Sequence, residues 1–293
     1  MPVWRVTGAT VRGAIHVRRN TPNQDAIAWQ APADVQTANA SNVAAPRLIA
    51  LADGHGAPMH LRSNRGSRIA VNAAIALLDQ FGGKEAGRDI SELEELAREE
   101  LPRELVRRWR NAVSVDMAKR PLAEWEIDAL SEQVSPAALA RLASDPVLAY
   151  GSTLLAVALT PRYILYMQLG DGDIVEIVGD GEARRPLPAD PLLLGNATTS
   201  LCSAEAWLHV RVAAAPIDPD ERSWFVMLSS DGYANSFEND AGLMQAASDL
   251  CTLSHEMGLP ALSRELPGWL RATSAQGSGD DITVGLALRS SAG

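Results

Sequence analysis

Runs of apolar residues along the chain predict its β-strands. Some runs are continuous, others alternate with polar residues, and turn formers such as Gly170-Asp171-Gly172 separate them. The segments between 152 and 178 have the pattern of an antiparallel meander. The predicted strands cover residues 4–11, 25–30, 47–52, 152–159, 163–169, 173–178, 207–212, 224–229 and 281–288.

Apolar residues with helical spacing predict helices in the middle and the C-terminal third of the chain. Residues 31–46 hold few large apolar side chains and are predicted to be a hairpin loop. The order of strands, helices, strands, helices and a final strand favours an α+β fold, because a parallel doubly wound sheet would alternate strand and helix throughout. The predicted helices are 63–81, 90–115 with a break at Pro102, 126–142 as one helix or two around Pro136, 242–257 and 260–272.

Composition narrows the class of protein. With 293 residues and 46% hydrophobic content the chain can bury a full core, and no shift in composition divides it. A formal net charge of -10 argues against nucleic acid or a membrane surface as a partner. Cys202 and Cys251 are too few for a disulfide framework or a zinc site. There is no basic leader and no run of membrane-helix length, so we expect a cytoplasmic protein.

Five aspartates lie in equivalent positions beside predicted strands. Asp25 begins a strand, whereas Asp53, Asp171, Asp231 and Asp280 end one or adjoin a glycine turn. A single Asp-Gly pair is more often a turn than a ligand. Strand ends tend to gather along one edge of a sheet, however, and carboxylates that meet there repel one another unless cations neutralise them. We therefore expect Mg²⁺ or Mn²⁺, which prefer oxygen ligands.

His55 lies between Gly54 and Gly56, two residues after Asp53. A histidine here suits a general acid that protonates a leaving alkoxide, and it suits equally a hydrogen-bonding surface residue. Motifs of competing site classes are absent from the sequence. It has no phosphate loop ending in Lys-Ser/Thr, no Gly-x-Gly-x-x-Gly between a strand and a helix, and no Gly-x-Ser-x-Gly esterase elbow.

Six motifs carry a resemblance that extends from about residue 4 to residue 288. They are Asn23-Gln24-Asp25-Ala26, Ala52-Asp53-Gly54-His55-Gly56, Gly151-Ser152-Thr153, Gly170-Asp171-Gly172-Asp173, Leu228-Ser229-Ser230-Asp231-Gly232 and Gly279-Asp280-Asp281-Ile282-Thr283-Val284. In these residues and their order the sequence resembles the metal-dependent Ser/Thr protein phosphatases of the protein phosphatase 2C (PP2C, or PPM) family, and more closely its bacterial branch.

The resemblance implies a role for each of these aspartates. Two core Mg²⁺ or Mn²⁺ ions are bridged by Asp53, with the Gly54 carbonyl on one ion and a further pair of carboxylates, Asp231 and Asp280, on the other. Asp25 holds a metal-bound water, and Asp171 helps to bind a third, looser ion. Water attacks the phosphorus in line without a covalent phosphoenzyme. By the same resemblance, His55 is the general acid.

Three departures from the family pattern bear on the site. Gln24 stands where the family usually has Glu, as in bacterial relatives with His-x-x-x-Gly-x-Pro-x-Gln-Asp, which residues 16–25 resemble. Asn20 stands at the position of the phosphate-binding arginine, which leaves Arg19, and after it Arg18, as candidates for the phosphate contact or for exposed ion pairs. Asp281 replaces the usual Asn.

The implied fold is a single domain over residues 1–293, a central antiparallel β-sandwich flanked by helices on both sides. A helical insert at about 84–145 and a flap at about 179–203 would be additions to it, the flap either touching substrate or only covering the sheet. The implied partner is a phosphoprotein substrate of a Ser/Thr kinase, acted on by a monomer. Two other functions are possible alternatives to a protein phosphatase: a catalytically weak phosphatase-like regulatory or binding module, and a metallohydrolase of small phosphate esters.

Overall fold

The computed structural model describes residues 3–30, 46–82, 88–188, 190, 198–218, 220–221 and 223–290. Its strands are β1 (Val3–Val11), β2 (Ala26–Trp29), β3 (Arg47–Ala52), β4 (Leu154–Leu159), β5 (Tyr163–Leu169), β6 (Asp173–Val178), β7 (Arg211–Pro216), β8 (Trp224–Ser229) and β9 (Ile282–Ser290). Its helices are α1 (Ala14–Arg19), α2 (Ser63–Gly82), α3 (Ile90–Lys119), α4 (Glu124–Ser131), α5 (Pro136–Ser144), α6 (Asp231–Ala234), α7 (Asp240–Glu256) and α8 (Leu259–Gln276).

The strands form two antiparallel sheets. One has the order β1-β9-β8-β6, and the other has the order β2-β3-β4-β5-β7. β1 and β9 come from opposite ends of the chain and pair along their whole length, from Val3 opposite Ser290 to Val11 opposite Ile282. This pairing brings the residues that follow β1 next to those that precede β9, at one edge of the sandwich.

Three apolar clusters stack in layers around the sheets. The innermost lies between the two sheets and includes Ile49, Tyr166 and Val226. Helices α2 and α3 cover the outer face of the five-stranded sheet, and α7 and α8 cover that of the four-stranded sheet. Since both faces are covered, β4 and β5 are buried at every residue, as their continuous apolar sequences indicate. The predicted α+β sandwich with helices on both sides is confirmed.

Two short helices, α1 and α6, are not predicted from the sequence. α1 lies in a segment predicted to be a polar connection, and none of its residues is buried, so it has no apolar stripe to reveal it. α6 is only four residues long and directly follows β8. α1 is held instead by contacts with residues distant in sequence, such as the bond from the Ile15 N–H to the Gly279 carbonyl at 2.8 Å.

The predicted break at Pro102 is wrong, because α3 continues through it. A proline in a helix interior costs about 3 kcal/mol relative to alanine. Here the residue itself is buried, and so are Leu101, Leu105 and Trp109 on the same helix. Packing of this face against α2 therefore outweighs the local preference of the proline. For the segment 126–142 the sequence predicts one helix or two around Pro136, and the structure has two, α4 and α5.

The strand predicted over residues 207–212 exists but lies further along the chain, at Arg211–Pro216. A 3₁₀ helix spans Ala206–Leu208, and β7 begins only at Arg211. The apolar Trp207 that suggested a strand instead packs beneath Arg103, whose guanidinium carbon lies 3.4 Å from the ring centroid.

Of the predicted loop, residues 31–45 lie outside the described residues, as do 189 and 191–197 of the flap. Among the described helices, none combines the length and apolar character needed to cross a membrane.

Asp116 on α3 ties this helix to α2 and to the strand layer. Its carboxylate accepts hydrogen bonds from Arg65 Nε at 2.7 Å, from Arg120 at 2.8 Å and from the Tyr150 hydroxyl at 2.8 Å. The side chain is only 12% exposed. The hydrogen bonds from Arg65 are the main reason why the pKa of Asp116 lies well below its ordinary value.

We predict that Asp116→Asn lowers the free energy of unfolding at pH 7 by about 1–3 kcal/mol, the usual range for a hydrogen bond to a charged group. A carboxylate whose pKa is lowered in the folded state stabilises the protein above its unfolded pKa of about 3.9, and the stability is lost as the pH falls through the folded pKa. The difference between wild type and variant should therefore shrink as the pH falls from about 5 towards 2.

Urea unfolding at several pH values measures this difference. The exposed Asp249, which accepts a hydrogen bond from the Gln245 side chain, supplies the control, Asp249→Asn. A difference for Asp116→Asn that stays constant across this pH range would contradict the assigned ion pairs.

Candidate metal centre

A cavity of about 220 Å³ opens at the edge of the sandwich where β3, β8 and β9 have their ends. Four of the five predicted aspartates line it, and Asp25 lies beneath it with 4% of its surface exposed. The cavity is lined by His16, Gln24, Asp53, Gly54, His55, Gly56, Thr153, Asp171, Thr198, Asp231, Asp280 and Asp281. The strand-end pattern therefore located residues that come together in space.

The backbone of Asp53 is fixed by the Gly151-Ser152-Thr153 segment. The Thr153 N–H donates to the Asp53 carbonyl at 2.8 Å, the Asp53 N–H donates to Thr153 Oγ1 at 3.0 Å, and Gly54 forms a bridge with Ser152. A side chain on Gly54 would come within 2.7 Å of the Gln24 carbonyl oxygen, so only glycine fits between these segments. The buried strand β3 thus ends in a rigid turn that directs a carboxylate into the cavity.

Asp25 is the most deeply placed carboxylate of the group. The Thr283 hydroxyl donates to its Oδ2 at 2.7 Å, whereas its Oδ1 is buried and has no hydrogen-bond partner among the described residues. Burial raises the pKa of Asp25 to about 7, and the charge of Asp281 adds to the effect. A buried oxygen with an unused acceptor position at the base of the cavity is suited to hold a water molecule.

Mutual repulsion dominates the electrostatics of the cavity. Burial raises the pKa of Asp53 well above its ordinary value, and the charges of Asp25, Asp231 and Asp280 raise it further. The pKa values of Asp171 and Asp280 are also raised, again mainly by burial and then by Asp231. Acceptor-only oxygens that repel one another form a donor set that fits hard divalent cations, because such ions supply the missing positive charge.

The turns that carry Asp231 and Asp280 hold each other in place. The Ser278 hydroxyl donates to the Gly232 carbonyl at 2.8 Å, and the Ser230 N–H donates to the Thr283 carbonyl at 3.0 Å. β8 and β9 are neighbours in the same sheet, so both aspartates leave it side by side. Asp171 enters from a different turn, after β5, and burial is the main cause of its raised pKa.

His55 closes one side of the cavity. Its Nε2 is buried and has no hydrogen-bond partner in the part of the chain that the structure describes, and its ring centroid lies 5.0 Å from that of His60. Burial, with the neighbouring His60, lowers the pKa of His55 to about 4. Gly151 is required beside these rings, since a side chain there would come within 2.4 Å of His60 Nδ1. The imidazole is therefore held with one free nitrogen at the cavity.

The arginines considered for phosphate binding lie outside the cavity. Arg18 and Arg19 are both exposed and are not among its lining residues. In the flap, Arg184 pairs with Glu176 at 2.9 Å, and Arg185 pairs with Asp173 at 2.6 Å. These flap charges are thus neutralised within the protein. Among the residues that line the cavity, the basic side chains are those of His16 and His55.

Gln24 and Asp281, two of the departures from the family pattern, have clear structural roles. Gln24 Nε2 donates to the His55 carbonyl at 3.2 Å and to Ser63 Oγ at 2.7 Å. Asp281 Oδ1 and Oδ2 accept the N–H groups of Gly13 and Gln24, each at 2.7 Å. A glutamate could not donate to the His55 carbonyl, and an asparagine could accept through only one of its two side-chain atoms.

Sequence reasoning singled out neither Thr198 nor these partners of Gln24 and Asp281. Thr198 lies in a flap whose sequence resembles an ordinary loop, and it lines the cavity together with Asp171, from a segment distant along the chain. His16 is the first residue of the segment that resembles the pattern His-x-x-x-Gly-x-Pro-x-Gln-Asp. That pattern did not show that the His16 ring reaches the cavity.

We predict that Gln24→Glu destabilises the protein by about 1–3 kcal/mol, because a carboxylate oxygen would then face the His55 carbonyl without a proton between them. Gln24→Met, which removes both hydrogen bonds but adds no charge, is the matched control and should cost less. Chemical unfolding of the metal-free proteins at pH 7 measures both. A Gln24→Glu variant as stable as the wild type would contradict the donor role of Gln24.

Comparison with known proteins identifies the family and agrees with this fold. The family model described as protein phosphatase 2C matches residues 12–271. Among solved structures, the catalytic domain of the serine/threonine phosphatase PstP in complex with two manganese ions has a TM-score of 0.56 at 17% identity, covering 99% of this chain and 100% of that one. PppA of Pseudomonas aeruginosa, described as a regulatory component of T6SS, has a TM-score of 0.57 at 17% identity, with 97% of each chain covered.

The Mycobacterium tuberculosis phosphatase PstP/Ppp is similar to the same extent, with a TM-score of 0.55 at 16% identity over 97% of this chain and 98% of that one. At these identities the structures establish the shared fold. Among curated proteins, none matches this sequence. The family model covers most of the chain, and its match includes all the cavity aspartates except Asp280 and Asp281. The chain therefore belongs to the protein phosphatase 2C family.

Proposed function

We propose that this protein is a metal-dependent phosphatase that hydrolyses phosphoserine and phosphothreonine in proteins. The observation that carries the proposal is the convergence of Asp53, Asp171, Asp231 and Asp280 on one cavity, in a chain of this family. Carboxylates that share one small cavity and raise one another's pKa have little use in a folded protein unless cations bind between them.

The residues of the cavity divide into two groups of ligands. Asp53, the Gly54 carbonyl, Asp231 and Asp280 would hold two core Mg²⁺ or Mn²⁺ ions, and Asp171 would contribute to a third. When bound, such ions activate water for attack on phosphorus and neutralise the charge that develops on the phosphate oxygens. The rigid turns described above fix the carboxylates before any ion arrives, which limits the reorganisation needed for binding.

Asp25 orients the attacking water. Its Oδ2 is occupied by the Thr283 hydroxyl, so its unpartnered Oδ1 remains to accept a hydrogen bond from water at the base of the cavity. His55 has the complementary role: once the negative charge of a bound phosphate raises the pKa that burial holds at about 4, the imidazolium donates a proton to the serine or threonine oxygen that leaves. Its buried Nε2 has no other partner, and the ring stands at the border between the cavity and the surface beside it.

The surface next to the cavity favours a peptide over a small phosphate ester. A cavity of about 220 Å³ holds a phosphoryl group but not a polypeptide segment. A second groove of about 680 Å³ adjoins it and shares His55 and Thr198 with it. Its far wall comes from the helical insert, through Arg141 and Ser144 of α5 and the nearby Leu148. Residues next to a phosphorylated side chain can lie along this groove.

The remaining assignments rest on fewer contacts. We place the protein in the cytoplasm as a monomer that reverses the action of a Ser/Thr kinase. Arg19, or after it Arg18, is proposed to approach the phosphate. Both side chains are exposed, so either would have to fold over the rim of the cavity to make this contact.

We predict that the purified protein hydrolyses a phosphothreonine peptide in Mn²⁺ and that EDTA abolishes the reaction. Asp231→Asn should lower kcat/KM by at least about 10²-fold, the scale of removing one strong electrostatic contribution to the transition state. Asp249→Asn, which changes an exposed aspartate, is the control. Activity that persists in EDTA would refute the mechanism. Tight binding of two ions with no turnover would favour a binding module, and faster hydrolysis of small esters would favour a metabolite phosphatase.

We predict that His55→Asn slows hydrolysis of a phosphothreonine peptide by about 10²–10⁴-fold, the usual contribution of a general acid. An aryl phosphate should be affected much less, because its phenolate leaves without needing a proton. The exposed His255 provides the control variant, His255→Asn. Equal losses on the two substrates would show that His55 does not protonate the leaving group.

A further inference from the structure

His16, on α1, lines the proposed metal centre and is not one of the five aspartates predicted from the sequence. Its Nε2 lies 3.7 Å from Asp280 Oδ1, and its Nδ1 lies 2.9 Å from Asp281 Oδ2. His16, Asp280 and Asp281 each offer one possible ligand atom, and these three atoms lie within 4.8 Å of one another, close enough to bind the same metal ion. We propose that His16 is a nitrogen ligand of one core metal ion and that it biases the centre towards Mn²⁺ over Mg²⁺.

The position of Asp281 determines which nitrogen is free to bind a metal. Its carboxylate only accepts hydrogen bonds, and it already accepts two backbone N–H groups. A ring nitrogen 2.9 Å away is therefore the protonated one, although the N–H is not in line for a hydrogen bond in this structure. Nε2 then carries the lone pair. Metal-binding histidines commonly have this arrangement, with the second nitrogen facing a carboxylate.

The separation between Nε2 and Asp280 fits two ligands of the same ion. At 3.7 Å the two atoms are too far apart for a hydrogen bond. Ligands that each lie about 2.1 Å from one ion are roughly 3–4 Å from each other. The free lone pair of His16 and a carboxylate oxygen of Asp280 are thus spaced for a shared cation.

The backbone around His16 is held against the segment that carries Asp280. The Ser274 hydroxyl donates to the Asp280 carbonyl at 2.8 Å and accepts the Ala14 N–H at 3.0 Å. The Ile15 N–H donates to the Gly279 carbonyl at 2.8 Å. α1 then ends at Asn20 in the left-handed conformation, φ 55°. One serine therefore fixes both the helix that presents the imidazole and the loop that presents the carboxylate.

An imidazole changes the preference of the centre for metals. Mg²⁺ keeps oxygen and water ligands, whereas Mn²⁺ also suits oxygen ligands but is the first member of the transition-metal series, whose ions accept imidazole nitrogen. Asp281, in place of the usual asparagine, supplies the negative charge that makes the ring a better donor. His16 and Asp281 are therefore one functional unit. This inference rests on the proposed metal centre and adds to it a ligand of different chemistry.

Calorimetric titration of the metal-free protein with Mn²⁺ and, separately, with Mg²⁺ tests the proposal, and pulsed electron paramagnetic resonance of the Mn²⁺ form provides a readout independent of activity. In the wild type we expect a nitrogen coupling to bound Mn²⁺. His16→Gln should abolish this coupling and weaken Mn²⁺ binding at one site by roughly 10–100-fold, with a smaller loss for Mg²⁺. His255→Gln, at an exposed histidine outside the cavity, should leave both unchanged.

Two results would overturn the role of His16 alone: no nitrogen coupling in a wild type that binds two ions, or the same ratio of Mn²⁺ to Mg²⁺ affinity in wild type and His16→Gln. If His16→Gln weakens only the binding of inorganic phosphate, the histidine contacts phosphate and the proposal is wrong. A wild type that binds neither ion would overturn the proposed function together with this inference. The spectroscopic signal of the wild type decides the matter even if the variant folds poorly.

Discussion

Repulsion between carboxylates at one edge of a β-sandwich is the constraint on which the rest of this structure depends. Asp53 has three aspartate neighbours whose charges raise its pKa, in addition to the larger effect of burial. A site of this kind costs folding free energy unless a cation binds to it. The turns that carry these carboxylates are held by close packing at glycines and by side-chain hydrogen bonds from Ser278 and to Thr153. These contacts keep the carboxylates together against their repulsion.

The pairing of the first and last strands explains why the departures from the family pattern occur together. β1 and β9 pair along their whole length, so the segment after β1 must lie against the segment before β9. Asp281 accepts the backbone N–H groups of Gly13 and Gln24 and also faces the ring of His16. The residues that differ from the pattern at the two ends of the chain are thus in contact in the folded protein, and a change in one alters the surroundings of the others.

Local signals in the sequence predicted the antiparallel α+β class and the convergence of the strand-end aspartates on one cavity, and the family resemblance added the sandwich. Continuous apolar runs marked the buried strands, and acidic residues at their ends marked the edge of the sheet. The role of Gln24 as a donor and the position of His16 were not predictable, since each depends on a partner dozens or hundreds of residues away. Pro102 misled the prediction for a related reason: local preference favours a break, but burial against α2 keeps α3 continuous.

The most direct test of this account compares the thermal unfolding of wild type and Asp53→Asn with and without Mn²⁺. Removing one charge from the cluster relieves repulsion, so the metal-free variant should unfold at the same temperature as the metal-free wild type or a higher one. Saturating Mn²⁺ should raise the Tm of the wild type by several degrees, as for a ligand that binds only the folded state, and should raise that of the variant much less. A variant that is less stable without metal, yet gains as much from Mn²⁺ as the wild type, would contradict the account.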